Sequence, residues 1–235
     1  MGKTVGLFRA IKQEWLNKTA ELVIQGYDDA AIKSILGEYL SYEIDSEINL
    51  GKTRGLLMNI WARPEETSPN VHTKAIEAYR HESSDKAALS WALFVLAHPV
   101  FADAGGLIGK ISMVQDTFTT SWLKTKLCEL RGERPTLVRT TAGILETMKC
   151  LDCIEQEKIG VYRIKKHVVG DEQTISVLLM SLLALDKKAY YDIHELSRVP
   201  MFFPFEFDVS LELLHNSPNF ALGNFGGKMV LSAAS

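Results

Sequence analysis

The chain has 235 residues, a formal net charge of −3 and 46% hydrophobic residues. That apolar content supports a sizeable core and excludes wholesale disorder. The slight acidity excludes a molecule-wide basic field, so any contact with nucleic acid has to come from a local patch.

Residues 8–26 read as a helix that stops at Gly26. The segment YDDAAIKSILGEYL follows, with Asp28 or Asp29 as its cap and Ile32, Ile35, Leu36 and Leu40 as one apolar stripe. Asp45–Arg63 reads as a further helix with Ile48, Leu56, Ile60 and Trp61 inward, and Pro64–Asn70 as a loop. Helices are expected near 71–82, 85–97 and 100–113. The runs Ala88–Ala102 and Ile175–Leu185 are apolar but shorter than the roughly 20 residues that span a bilayer, so both read as core helices.

From residue 117 the pattern changes. TFTTSWLKTKLCELRG reads as a helix ending at Gly132. The next helix begins after Pro135, which suits a first helical turn. Its apolar face is Val138, Thr141, Ile144, Leu145, Met148 and Leu151, and its opposite face is Arg139, Thr140, Gly143, Glu146 and Thr147. CIEQEKIGVYRIKKHVV then reads as two short strands turning near Lys158–Gly160. Two helices followed by a hairpin is the layout of a winged helix.

The C-terminal part repeats that order without repeating the sequence. A strong helix (DEQTISVLLMSLLALDKK) is followed by a short one (YYDIHELSR) and an extended piece (VPMFFPFEF). A helix capped by Asp208 and a hairpin turning at Gly226–Gly227 complete it. The fold class read from the sequence is mainly α: a helical N-terminal bundle over 1–115, a winged-helix-like unit over 116–170 and a second over 171–235.

Motifs for catalysis are missing. LGKTRG has Ser46 where a phosphate-binding loop needs its first glycine, and no strand precedes it. Cys150 and Cys153 form one C-x-x-C pair, whereas a zinc site needs four ligands, so the cysteines read as structural. None of the six histidines has metalloprotease spacing, and no nucleophile elbow is present. The expectation is a protein that is not an enzyme and carries no cofactor and no metal. Three cysteines make no disulfide framework, and the N-terminus lacks a signal-peptide core, so the expected location is the cytoplasm, with no membrane contact.

One stretch stands out electrically. Arg131–Lys166 carries eight Lys/Arg and five Asp/Glu, a local +3 that leaves −6 for the rest of the chain. A basic helix and hairpin on an acidic protein is the footprint of a phosphate-binding surface. The candidate DNA contacts are Arg139, Thr140 and Lys149 on the helix, Arg163, Lys165 and Lys166 on the hairpin, and Lys52 and Arg54 on the earlier helix.

Three blocks also carry a family resemblance. TAELVIQGYDDAAIKSILGEYL with EINLGKTRGLLMNIWAR, ALSWALFVLAHPVFADAGG, and LVRTTAGILETMKCLDCIE cover much of residues 15–165. Together they resemble the BrxA family of the bacteriophage-exclusion (BREX) defence systems. The resemblance implies a helical, non-enzymatic accessory protein that binds double-stranded DNA, alongside other defence-system subunits. The competing expectation is an interaction adaptor whose winged units dock partner proteins.

Overall fold

The computed structural model describes residues 9–63, 69–186, 188 and 190–234. The chain is mainly helical, with short strand groups. Six helices come first: α1 (Gln13–Ile24), α2 (Asp29–Ser41), α3 (Glu47–Trp61), α4 (Pro69–Tyr79), α5 (Lys86–Ala97) and α6 (Pro99–Ile111). Then follow β1 (Thr117–Thr119), α7 (Thr120–Arg131), α8 (Pro135–Cys150), β2 (Ile154–Lys158), β3 (Val161–Ile164) and β4 (His167–Val168). The last part holds α9 (Glu172–Leu185), β5 (Tyr191–Asp192), two 3-10 turns (Ile193–Arg198 and Pro200–Phe202), β6 (Phe205–Glu206), α10 (Leu211–Asn216), β7 (Phe220–Phe225) and β8 (Lys228–Ala233).

Local chemistry sets the helix ends. Asp28, Asp85 and Asp171 each accept a backbone N–H three residues on, from Ala31, Ala88 and Thr174, at 2.7–2.9 Å. Such a cap contributes about 1 kcal/mol. In α10 the cap is Ser210, which accepts the Leu213 N–H at 3.0 Å, and not Asp208. The hydroxyl wins because it stands directly before the first helical residue.

Helix α5 is the hub. It is apolar all round, so every side needs cover. It packs against α1, α3, α4, α6 and α9. His98 and Pro99 then turn the chain by 120° into α6. Proline excludes helical backbone at the residue before it, and His98 accordingly sits at φ −133, ψ 89. Among the described residues no single helix is long and apolar enough to cross a membrane.

The His98 ring is buried, and burial pushes its pKa down to about 4. The unfolded chain binds that proton more readily, so the neutral ring favours folding above pH 6.5. This contribution is lost as pH falls from about 6.5 to about 4, at up to roughly 1.4 kcal/mol per pH unit. Urea titrations of the wild type and His98→Leu between pH 7 and 4 should show a shallower acid loss for the variant. Parallel pH curves would contradict the assignment.

The middle of the chain is a winged-helix-like arrangement. In order it runs α6, β1, α7, α8, β2, β3, and the three strands pair antiparallel in the order β1-β3-β2. Phe118 stands opposite Tyr162, and Thr117 opposite Arg163. Strand β1 falls inside the stretch read from the sequence as helix. At the start of α8's sheet-ward packing, Leu137 is buried and Val138 is 42% exposed, so Val138 leaves the predicted inward face. One residue is about 100° of helix, and the buried stripe is centred on Leu137, Thr141, Ile144, Leu145 and Met148.

The last part repeats the topology. Helix α9, β5, the 3-10 turns, α10 and the β7–β8 hairpin follow one another, and the strand order β5-β8-β7 is that of the first sheet. The segment read as a short helix, 190–198, is β5 followed by a 3-10 turn, and 199–207 holds a second 3-10 turn before β6.

The two units are joined at α6. A Cβ placed on Gly109 would lie 1.8 Å from the Pro200 carbonyl oxygen, and one on Gly105 would lie 3.1 Å from that of Met201. Glycine is required at 109 because two backbones touch there. Gly109→Ala should therefore destabilise by about 1–3 kcal/mol, against the roughly 1 kcal/mol gain of the same change in a free helix. A midpoint unchanged or raised in urea denaturation would contradict this packing.

Three other expectations shift. Ile48 is 73% exposed, because burial in α3 begins only at Thr53. The first predicted helix starts at Gln13, and residues 9–12 precede it without helical structure. Of the predicted loop Pro64–Asn70, Pro69 and Asn70 belong to α4 and the remainder lies outside the described residues.

Candidate nucleic-acid interface

Helix α8 has two buried sides. One faces its own sheet. The other carries Thr140, Gly143 and Thr147, which the sequence pattern placed outward and which are all buried. Residues at i, i+3 and i+7 share one face. Here that face is made of small side chains, and the N-terminal segment lies against it. Ile11 is fully buried and donates its N–H to Thr147 Oγ1 at 3.1 Å. Thr147 Oγ1 in turn donates to the Gly143 carbonyl at 2.8 Å. The Thr147 hydroxyl thus serves buried backbone and is not offered to a ligand. Thr140, at 6% exposure, is largely buried at the floor of the cleft described next.

What stays exposed on α8 is Thr136, Val138, Arg139, Ala142 and Glu146, with Cys150 at the end. The first two turns of this face form one wall of a cleft of about 1280 Å³. The opposite wall is α3, through Asn49, Lys52, Thr53 and Leu56. The α7–α8 turn closes one side, where Gly132 takes φ +79, a left-handed conformation that suits glycine.

Five cationic side chains line the cleft: Arg9, Lys52, Arg131, Arg134 and Arg139. They come from four separate segments. A single carboxylate joins them, Asp103 on α6, in an ion pair with Arg131. Arg9, Lys52, Arg134 and Arg139 make no ion pair among the described residues. The start of α8 adds its helix-end dipole, with Arg134 as an N-cap that gives no side-chain hydrogen bond and Pro135 in the first turn. Thr53 Oγ1, buried in the α3 wall, has no hydrogen-bond partner among the described residues.

The hairpin is electrically different. Arg163 is paired with Glu157 across β2–β3, and Lys165 with Asp152. Lys166 Nζ lies 2.7 Å from Glu206 Oε1 on β6. Lys149 Nζ lies 3.0 Å from Glu146 Oε2, one turn back on α8. The hydrogen bonds that Lys165 and Lys166 donate to Asp152 and Glu206 raise the pKa of both lysines. Every candidate cation of the hairpin therefore has a carboxylate beside it. The tip shows Ile159, 97% exposed, next to Lys158.

The structure thus brings Lys52, Arg139 and Thr140 to one cleft and leaves the rest apart. Arg54 turns the other way, along α2, donating to the Lys33 carbonyl at 3.2 Å over Gly37. Sequence reasoning missed Arg9, Arg131 and Arg134 as partners of Lys52. The only signal was their type, since the spacing spans more than a hundred residues. The GKT triplet lies in the middle of α3, where its amides are held by helix bonds and no phosphate loop forms. Burial raises the pKa of both Cys150 and Cys153. Among the described residues no three His, Cys, Asp or Glu come together to hold a metal ion.

Comparison with known proteins returns no match to a family model, to a curated protein or to a solved structure.

Replacing Arg163, Lys165 and Lys166 together by alanine should change duplex affinity less than threefold, because these side chains lie outside the cleft and are already engaged by carboxylates. Anisotropy titrations against the wild type check this. A loss beyond tenfold would move the interface to the hairpin.

Proposed function

We propose that the protein binds double-stranded DNA through the cleft between α3 and α8. The observation that carries this is the convergence of five cations on one concave surface with one carboxylate among them. Gathering like charges costs stability unless a polyanion occupies the space. The N-terminal turns of the second helix of a helix-turn-helix are where base edges are met in that class of DNA-binding fold. Here they hold Arg139 and Arg134.

Duplex is favoured over single strands by what the cleft lacks. Single-strand binders stack bases on aromatic rings. Among the described residues no aromatic side chain lines this cleft. Contact is then to phosphate, with Arg139 as the candidate base reader. The protein acts as an accessory factor with no catalysis of its own. The resemblance to BrxA assigns that role to phage defence in the cytoplasm, beside other subunits of the system.

The second unit supports a partner-docking role alongside. Its α10 exposes Leu211 and Glu212, and its hairpin exposes Phe225 and Met229. Exposed apolar side chains of this kind meet protein more readily than phosphate.

The experiment is a fluorescence anisotropy titration of labelled duplex and single-stranded DNA of the same sequence, at several salt concentrations. The duplex should bind more tightly, with a log–log salt slope of about −3 to −4, from roughly −0.9 per phosphate contact. No duplex binding at low salt would overturn the reading.

A further inference from the structure

Among the described residues Asp103 is the one carboxylate in the cleft, and it stands on α6 rather than on either wall that carries the free cations. Its partner is Arg131, in the last turn of α7. The side chains are partly open, 28% exposed for Asp103 and 37% for Arg131, so an entering phosphate can reach both. Among the described residues Arg131 is the only cation of the cleft that an ion pair already neutralises.

We propose that Asp103 limits the affinity of the cleft for nucleic acid, by holding Arg131 and by opposing phosphate with its own charge. The inference rests on the cleft being the DNA site. For Arg131 to take a phosphate, its ion pair must break, and a carboxylate is then left unpaired beside a polyanion. Both consequences weaken binding. The charge sits at the junction of α6 and α7, apart from the base-facing start of α8, so it lowers affinity for all sequences alike. Such a brake keeps non-specific binding low and lets the direct contacts of α8 decide where the protein stays, because backbone attraction is blind to sequence. A merely structural pair tying α6 to α7 would leave the salt dependence of DNA binding untouched.

The test uses the full chain and anisotropy titrations of one labelled duplex at several salt concentrations. The wild type, Asp103→Asn and the double variant Asp103→Asn with Arg131→Ala are compared. Asp103→Asn should bind about tenfold more tightly at 0.1 M salt and steepen the log–log slope by about 0.9, one added phosphate contact. The double variant should return to the wild-type slope. Wild-type binding with an unchanged affinity and slope for Asp103→Asn would overturn the inference and leave the cleft reading standing. A salt slope that stays steep in the double variant would overturn the hold on Arg131. No duplex binding by the wild type would overturn the cleft reading, and this inference with it.

Discussion

Replacing Lys52, Arg134 and Arg139 together by alanine should lower duplex affinity by on the order of 10²–10³-fold at 0.1 M salt and flatten the log–log salt slope by about 2.7. The reasoning is electrostatic. These three cations line one cleft and have no carboxylate partner among the described residues. Each one that meets a phosphate releases about 0.9 counterion equivalents, which near 0.1 M salt is close to tenfold in affinity. Lys52 and Arg134 should act equally on all sequences. Arg139 should add an uneven loss of about 1–3 kcal/mol across sequences if it reaches a base edge. All three side chains are exposed, so folding should change by under about 0.5 kcal/mol for each. Anisotropy titration together with urea denaturation separates the two effects. A triple variant that binds as well as the wild type would remove the cleft from the account.

The largest effect on stability should come from Trp91→Ala, at about 3–5 kcal/mol. Trp91 is fully buried on α5. Its ring meets Phe101, Phe203 and Phe205 edge-on, with centroids 4.7, 5.4 and 5.7 Å away. Such aromatic pairs contribute beyond the area they bury. Its indole N–H donates to the Met201 carbonyl at 2.9 Å. One side chain thus ties the helical hub to residues 201–205 of the C-terminal part. Trp91→Phe keeps a ring but strands that carbonyl, and should cost about 1–3 kcal/mol plus a smaller packing loss. Urea denaturation orders the variants. A Trp91→Ala loss under about 1 kcal/mol would mean that the junction is held elsewhere.

The parts legible in the sequence were those with a strong period or a turn signal. The helices of the bundle, α8 after Pro135, and the hairpins around Gly160 and Gly226–Gly227 all follow from such signals. Strand β1 was not legible, because three residues, Thr117–Thr119, carry no period and the segment runs straight into α7. The buried stripe Thr140, Gly143 and Thr147 was misread as a surface, since apolar periodicity does not register small residues such as glycine and threonine. The excess of cations over 131–166 was visible as charge, and so were the carboxylates Glu146, Asp152 and Glu157 within it, but which cations they pair with was not. Lys166 meets Glu206 from 40 positions away, and only the fold reveals which cations remain free. Lys52 and Arg139 are 87 positions apart and belong to different units, so no local pattern joins them.

The most direct test of the central claim is hydrogen exchange of the full chain with and without a duplex at low salt. The account predicts slowed exchange in the segments that wall the cleft, residues 49–56 and 130–142, with the hairpin at 154–164 little changed. Protection confined to the hairpin, with 49–56 and 130–142 unaffected, would contradict it.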